Sequence, residues 1–225
     1  MSERPALLLV HGAWHGSWCW TPLRTHLEAN GWRVGTVDLP SAAPHNAAEH
    51  GMHDDADTIR SAINGPTMIV AHSYGGIPAT QAATPEVEHI VYVAAFLPEA
   101  GDSLIKMVGG TPPPWWRTEE DVIHALNPET VFFNDVDEPP TGMLRPQSRR
   151  AFTEQVTSTR RTPSTYVISE KDNAIPPPAQ EAMAARATAT ERLDAGHSPF
   201  LSCPQDLAAI IERVSPPRRS SRASG

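Results

Sequence analysis

The sequence predicts an α/β fold: a mostly parallel sheet flanked by helices, with a small inserted cap. Three features of the 225 residues lead there. Continuous apolar runs of strand length, such as ALLLV at 6–10 and HIVYVAAFL at 89–97, lack polar alternation and so suit strands buried on both faces. Strand-like and helix-like segments alternate through the first 97 residues, the pattern of parallel βα units. Between 98 and 163 this rhythm gives way to proline-rich, aromatic sequence, which reads as a cap.

In chain order, the first strand, 6–10, runs directly into His11-Gly12-Ala13. Leu23 and Leu27 sit among helix formers that end at Asn30-Gly31, a helix stop. Residues 33–39 (RVGTVDL) read as a second strand closed by Pro40, and 41–57 as a polar loop leading into a short helix at 58–63. A third strand, 67–71, leads to Ser73, and Gly75 opens a helix to about 83. The fourth strand, 89–97, precedes the cap, which holds Trp115-Trp116, Phe132-Phe133 and Pro139-Pro140. The rhythm resumes with a strand at 165–169, a helix at 178–187, a strand at 190–193 and a last helix at 204–214. The core is therefore expected over 1–97 and 164–214, and the cap over 98–163. Residues 215–225, with Arg218, Arg219 and Arg222, are polar and aperiodic and are expected to form a disordered tail.

A formal charge of -8 argues against nucleic acid as a partner, which needs a clustered basic face. No stretch approaches the roughly 18 apolar residues of a membrane span, and no apolar leader precedes a cleavage site. No membrane partner and a cytoplasmic location are expected. Cys19 and Cys203 lie in apolar surroundings and fit a reducing compartment, not a disulfide framework. The length suits one domain, acting on a small-molecule substrate as a monomer or homodimer.

The chemistry centres on TMIVAHSYGG, residues 67–76. A strand, a sharp turn with Ser73 at its tip and a helix make a nucleophile elbow, whose tight backbone needs small residues two before and two after the serine. Ala71 and Gly75 meet that need. A serine hydroxyl is a weak nucleophile and requires a base, itself oriented by an acid. His197 follows the last predicted strand and Asp172 the strand at 165–169, so both fall at carboxyl ends of strands, where functional groups gather. Asp102 and Glu170 are rivals to Asp172. Backbone N–H groups of Tyr74 and of Ala13, in the loop after the first strand, are expected to form an oxyanion hole. The structural alternatives are a plain turn at His11-Gly12, a solvated His197 and an Asp172 that caps a turn.

His45, His50 and His53 neighbour Asp54, Asp55 and Asp57, but their spacing fits no zinc pattern; a solvated loop entering a helix, and no metal, are expected. Trp14, Trp115, Trp116 and Phe200 are candidates for the wall of an apolar pocket. The cap aromatics serve equally as the cap's own core.

Together VHGAWHGSWCW, AHSYGG, DNAIP and GHSPFLSCP resemble the α/β-hydrolase superfamily. The resemblance is to the branch of plant methyl-ester esterases, hydroxynitrile lyases and bacterial small-molecule esterases, over residues 6–98 and 163–214. It implies Ser73 as nucleophile, Asp172 and His197 as its partners, Ala13 and Tyr74 as oxyanion donors, and no cofactor. Lyases of that branch carry Thr after the His of the first motif and Lys after the catalytic His, where this chain has Gly12 and Ser198. The resemblance thus implies hydrolysis of a small or medium apolar or aromatic carboxylic ester through an acyl-enzyme. A lyase or cyclase using the same Ser/His pair for proton transfer on a carbonyl-containing metabolite is the alternative. A ligand receptor with marginal turnover is a third reading.

Overall fold

The computed structural model describes residues 4–158 and 160–216; the expected tail from 217 onward, with its arginines, lies outside the described residues. The chain opens with β1 (Ala6–Val10), α1 (Thr21–Ala29), β2 (Val34–Val37), α2 (Met52–Ala62), β3 (Thr67–His72), α3 (Gly76–Ala82) and β4 (Val87–Val93). The segment expected to be the cap holds α4 (Leu104–Met107), β5 (Trp116–Glu119), β6 (Val122–Ala125), α5 (Pro128–Val131), β7 (Gln147–Ser148) and α6 (Arg149–Thr153). The core resumes with β8 (Ser164–Ser169), α7 (Pro177–Ala184), β9 (Ala189–Leu193), α8 (Pro199–Ser202) and α9 (Pro204–Val214).

Six strands form one sheet in the order β2-β1-β3-β4-β8-β9, and every neighbouring pair is parallel. Alternate side chains along these strands divide the core in two. Leu7, Leu9, Met68 and Val70 pack with Leu23 and Leu27 of α1 and with Leu207 and Ile211 of α9. Leu8, Val10, Ile69 and Ala71 pack instead with Ile59, Ile77 and the aromatic residues of the cap. Both faces being covered, β3 and β8 are buried along their whole length, which is why their sequences show no polar alternation.

Two expectations are corrected. The segment read as a loop over 41–57 becomes helical at Met52, because the Asp54 carboxylate accepts the Gly51 N–H at 2.7 Å and closes the first turn. Met52, Asp55, Ala56 and Ile59 form the buried side of α2, so Asp55 is in the core and not in a solvated loop. The fourth strand ends at Val93, four residues early, where Ala94 takes a left-handed φ of 42°. Between β4 and β8 the chain also forms a second, three-stranded antiparallel sheet in the order β5-β6-β7. Among the described residues no helix is long and apolar enough to cross a membrane.

Candidate active site

β3 delivers Ser73 at its carboxyl end with φ of 52°, a left-handed backbone that costs a non-glycine residue about 1–3 kcal/mol. Neighbouring backbone holds it there. Phe96, in the segment after β4, donates its N–H to the Ser73 carbonyl at 3.0 Å. A Cβ on Gly75 would collide with the His11 carbonyl, and one on Gly76 with the Phe96 carbonyl. Glycine at these two positions is what lets α3 start so close to β1 and to the Phe96 segment.

His197 lies between β9 and α8 and donates from Nδ1 to Asp172 Oδ2 at 2.8 Å, both side chains being buried. Three more donors converge on that carboxyl: the N–H groups of Ala174 at 2.7 Å and Ile175 at 2.9 Å on Oδ1, and Gln180 Nε2 at 2.9 Å on Oδ2. With Nδ1 committed as a donor, the neutral imidazole keeps Nε2 as the atom able to take a proton. The rivals are placed elsewhere: Asp102 pairs with Lys106 at 2.9 Å, and Glu170 with Arg192 at 3.5 Å.

Two further histidines brace this arrangement: His72, unremarked in the sequence, and His11, read there as part of a turn. His72, which precedes Ser73, donates from Nε2 to the His197 carbonyl at 2.9 Å and so pins the His197 loop to the elbow. Burial holds its pKa well below the usual histidine range. His11 donates from Nδ1 to the Gly12 carbonyl at 2.8 Å and accepts the Leu39 N–H on Nε2 at 3.0 Å. Burial lowers its pKa to about 4, so it stays neutral in both bonds at pH 7. A Cβ on Gly12 would come within 2.8 Å of Ser73 Cβ and of His72 Nδ1, so a glycine is required where this loop passes the serine.

Ala13, Trp14, Ser73 and Tyr74 line a cavity of about 30 Å³ together with Trp115, Trp116 and Phe132 of the cap. That is room for about one water, and no lining side chain carries a charge. The cap aromatics are pocket wall and packing core at once: the Trp14 ring lies 5.5 Å from Trp115, 5.9 Å from Trp116 and 5.4 Å from Phe132. Phe200 is a correction. Its ring packs 4.7 Å from Trp20 and 4.8 Å from His72, in the half of the core shared with α1 and α9, because α8 turns it inward away from the cavity. Wider surface clefts of about 620 and 670 Å³ share no residue with the Ser73 cavity.

Sequence reasoning also misses Gln180, which nothing in PPAQEA distinguishes from a surface glutamine, and Asp55, whose neighbours all read as solvated.

The model of the alpha/beta hydrolase family matches residues 7–210. The carbendazim hydrolyzing esterase of Nocardioides sp. (strain SG-4G) is 34% identical over 117 residues, covering 48% of this chain and 48% of that protein. Methylesterase 4 of Arabidopsis thaliana is 32% identical over 110 residues, covering 44% of this chain and 42% of that protein. Both similarities thus span less than half of the relatives' own length. Among solved structures, a pyrethroid hydrolase from Sphingobium faniae JZ-2 is similar with a TM-score of 0.83 at 22% identity, over 93% of this chain and 96% of that one, a likeness of fold. The parallel sheet, the serine on its strained turn and the family match over nearly the whole described chain have one conclusion: this protein belongs to the alpha/beta hydrolase family.

Proposed function

We propose that the protein is a serine carboxylic-ester hydrolase acting on small, uncharged apolar or aromatic esters. The observation that carries this is the buried His197–Asp172 pair, whose loop His72 pins to the elbow, together with a serine held there at a left-handed turn in the wall of an uncharged aromatic cavity. His197 Nε2 takes the Ser73 proton as Oγ attacks the ester carbonyl, and Asp172 stabilises the resulting imidazolium. The N–H groups of Ala13 and Tyr74 receive the negative charge that moves to the carbonyl oxygen. Collapse of this intermediate breaks the bond to the alcohol, which leaves with the proton from His197. Water, deprotonated by the same nitrogen, then attacks the acyl-enzyme and releases the acid and Ser73.

Similarity to an esterase and a methylesterase supports an ester as substrate. Ser198, buried and uncharged directly after His197, supports hydrolysis over a cyanide-releasing reaction, which needs a cation there. The unpaired thiols of Cys19 and Cys203 support a cytoplasmic setting.

A fluorophosphonate probe is expected to label the wild type and not Ser73→Ala. On p-nitrophenyl esters from acetate to benzoate, the same substitution should lower kcat by about 10⁴-fold or more. A wild type that neither labels nor turns over any of these esters overturns the proposal.

A further inference from the structure

Behind the cavity runs a buried polar chain that the reaction above leaves unused. Asp55 on α2 accepts three hydrogen bonds: the Tyr74 phenol at 2.6 Å and the Ser41 hydroxyl at 2.6 Å on Oδ2, and the Ser41 N–H at 3.0 Å on Oδ1. Ser41 Oγ accepts from Gln147 Nε2 at 2.7 Å, and Gln147 Oε1 accepts the Trp14 N–H at 3.3 Å. Asp55, Ser41 and Gln147 have no exposed surface at all. Every donor along this chain points toward the one carboxyl.

Its two ends are informative. One is Tyr74, whose backbone N–H is a proposed oxyanion donor. The other is Trp14, the residue after Ala13, which supplies the second donor. Trp14 is itself held at φ of 62°, and all its polar groups go to the cap. Besides its N–H on Gln147, its indole Nε1 donates to the Ile123 carbonyl of β6 at 2.8 Å, and its own carbonyl accepts the Arg145 N–H at 2.8 Å. Burying a carboxyl here is costly: desolvation dominates and, held back by the Ser41 and Tyr74 bonds, leaves its pKa near 7. Apolar side chains of similar volume would stabilise the fold as well or better, so stability alone does not explain the chain.

We propose that Asp55 and Gln147 are positioning residues: the chain Tyr74–Asp55–Ser41–Gln147–Trp14 sets both oxyanion-hole segments against each other and ties them to the seated cap. The proposal rests on the serine-hydrolase reading. An Asn at 55 keeps an acceptor for the Ser41 N–H only by turning its own N–H groups toward the Tyr74 and Ser41 hydroxyls, which reverses both of those bonds, so Asp55→Asn disturbs the chain at its hub. Gln147→Met and Tyr74→Phe break it at its arms with little change in volume.

The three variants are to be compared with wild type for kcat and KM on p-nitrophenyl acetate and for affinity toward two inhibitors. One is a trifluoromethyl ketone: Ser73 Oγ bonds to its carbonyl carbon, the π electrons pass to oxygen, and the serine proton passes to His197, leaving an oxyanion in the hole. The other is the corresponding secondary alcohol, which has no carbonyl for Ser73 to attack and so cannot form that charge. The expected result is a loss of about tenfold or more in kcat and in ketone affinity, with KM and alcohol affinity within about threefold of wild type. The double variant Gln147→Met/Tyr74→Phe should lose no more than its worse parent, as members of one network do. Tyr92→Phe, which removes a buried phenol bonded to Thr80 at 2.8 Å away from the site, should change none of these values. Parallel loss of ketone and alcohol affinity, unchanged kcat in folded Gln147→Met and Tyr74→Phe, or additive losses in the double variant overturn the proposal. A wild type that neither binds the ketone covalently nor turns over the ester overturns the serine-hydrolase reading first, and this one with it.

Discussion

Asp172 accepts four hydrogen bonds, and only one comes from the histidine it faces. The others set the carboxyl plane, and Gln180 is the single side chain among them. Gln180 accepts the Ser169 N–H on Oε1 at 3.0 Å and donates from Nε2 to the Ile175 carbonyl at 2.7 Å, so it spans the end of β8 and the loop that carries Asp172. Gln180→Leu keeps most of the volume and removes all these bonds. It is expected to lower kcat by about tenfold while KM stays near wild type, and to destabilise the fold by about 1–3 kcal/mol through the groups left unpaired. Steady-state kinetics and denaturant unfolding check both. Ser73, His197 and Asp172 are legible in the sequence because each follows a recognisable strand. Gln180, His72 and Asp55 are not, since their roles are defined by partners the local sequence does not contain.

At the scale of elements, the turn from β3 into α3 depends on close backbone approach. Gly76 faces the Phe96 carbonyl, a backbone atom that cannot rotate aside as a side-chain tip could. Gly76→Ala is therefore expected to cost about 1–3 kcal/mol, read as a lower denaturant midpoint with an unchanged slope. The elbow announces itself through small residues at set spacing, a signal that is wholly local. α2 does not: its first turn reads MHDD, and the buried positions Met52, Asp55, Ala56 and Ile59 reveal a helical period only once Asp55 is known to face inward. The cap strands are equally silent, for β7 has two residues and is defined by its pairing with β6.

For the molecule as a whole, buried titratable groups set opposing pH dependences. His11 and His15 have pKa values lowered by burial to about 4 and about 3, and His72 lies well below its usual 6.5. The unfolded chain binds protons at these histidines below pH 6.5 while the folded chain does not, so their contribution is lost as the pH falls from 6.5 toward 4. Asp55 acts in the other sense. Its pKa is raised from 3.8 to about 7, so its contribution is present below 3.8 and lost as the pH rises through 7. Each tenfold difference in proton affinity between the folded and unfolded chain is worth about 1.4 kcal/mol, so three histidines outweigh one carboxyl. Wild type is expected to be less stable at pH 4.5 than at pH 6.5, and Asp55→Asn, lacking the opposing group, to show a steeper loss; denaturant titrations at the two pH values measure it. By itself the sequence determined the parallel α/β layout, the elbow and the Ser, His and Asp at strand ends, because apolar runs and turn spacing act over a few residues. Only the tertiary structure decided that Asp172 and not Asp102 meets His197, that Phe200 faces the core, and that Asp55 and Gln147 join Tyr74 to Trp14. Those facts depend on contacts between residues as distant as Trp14 and Gln147, which no local pattern encodes.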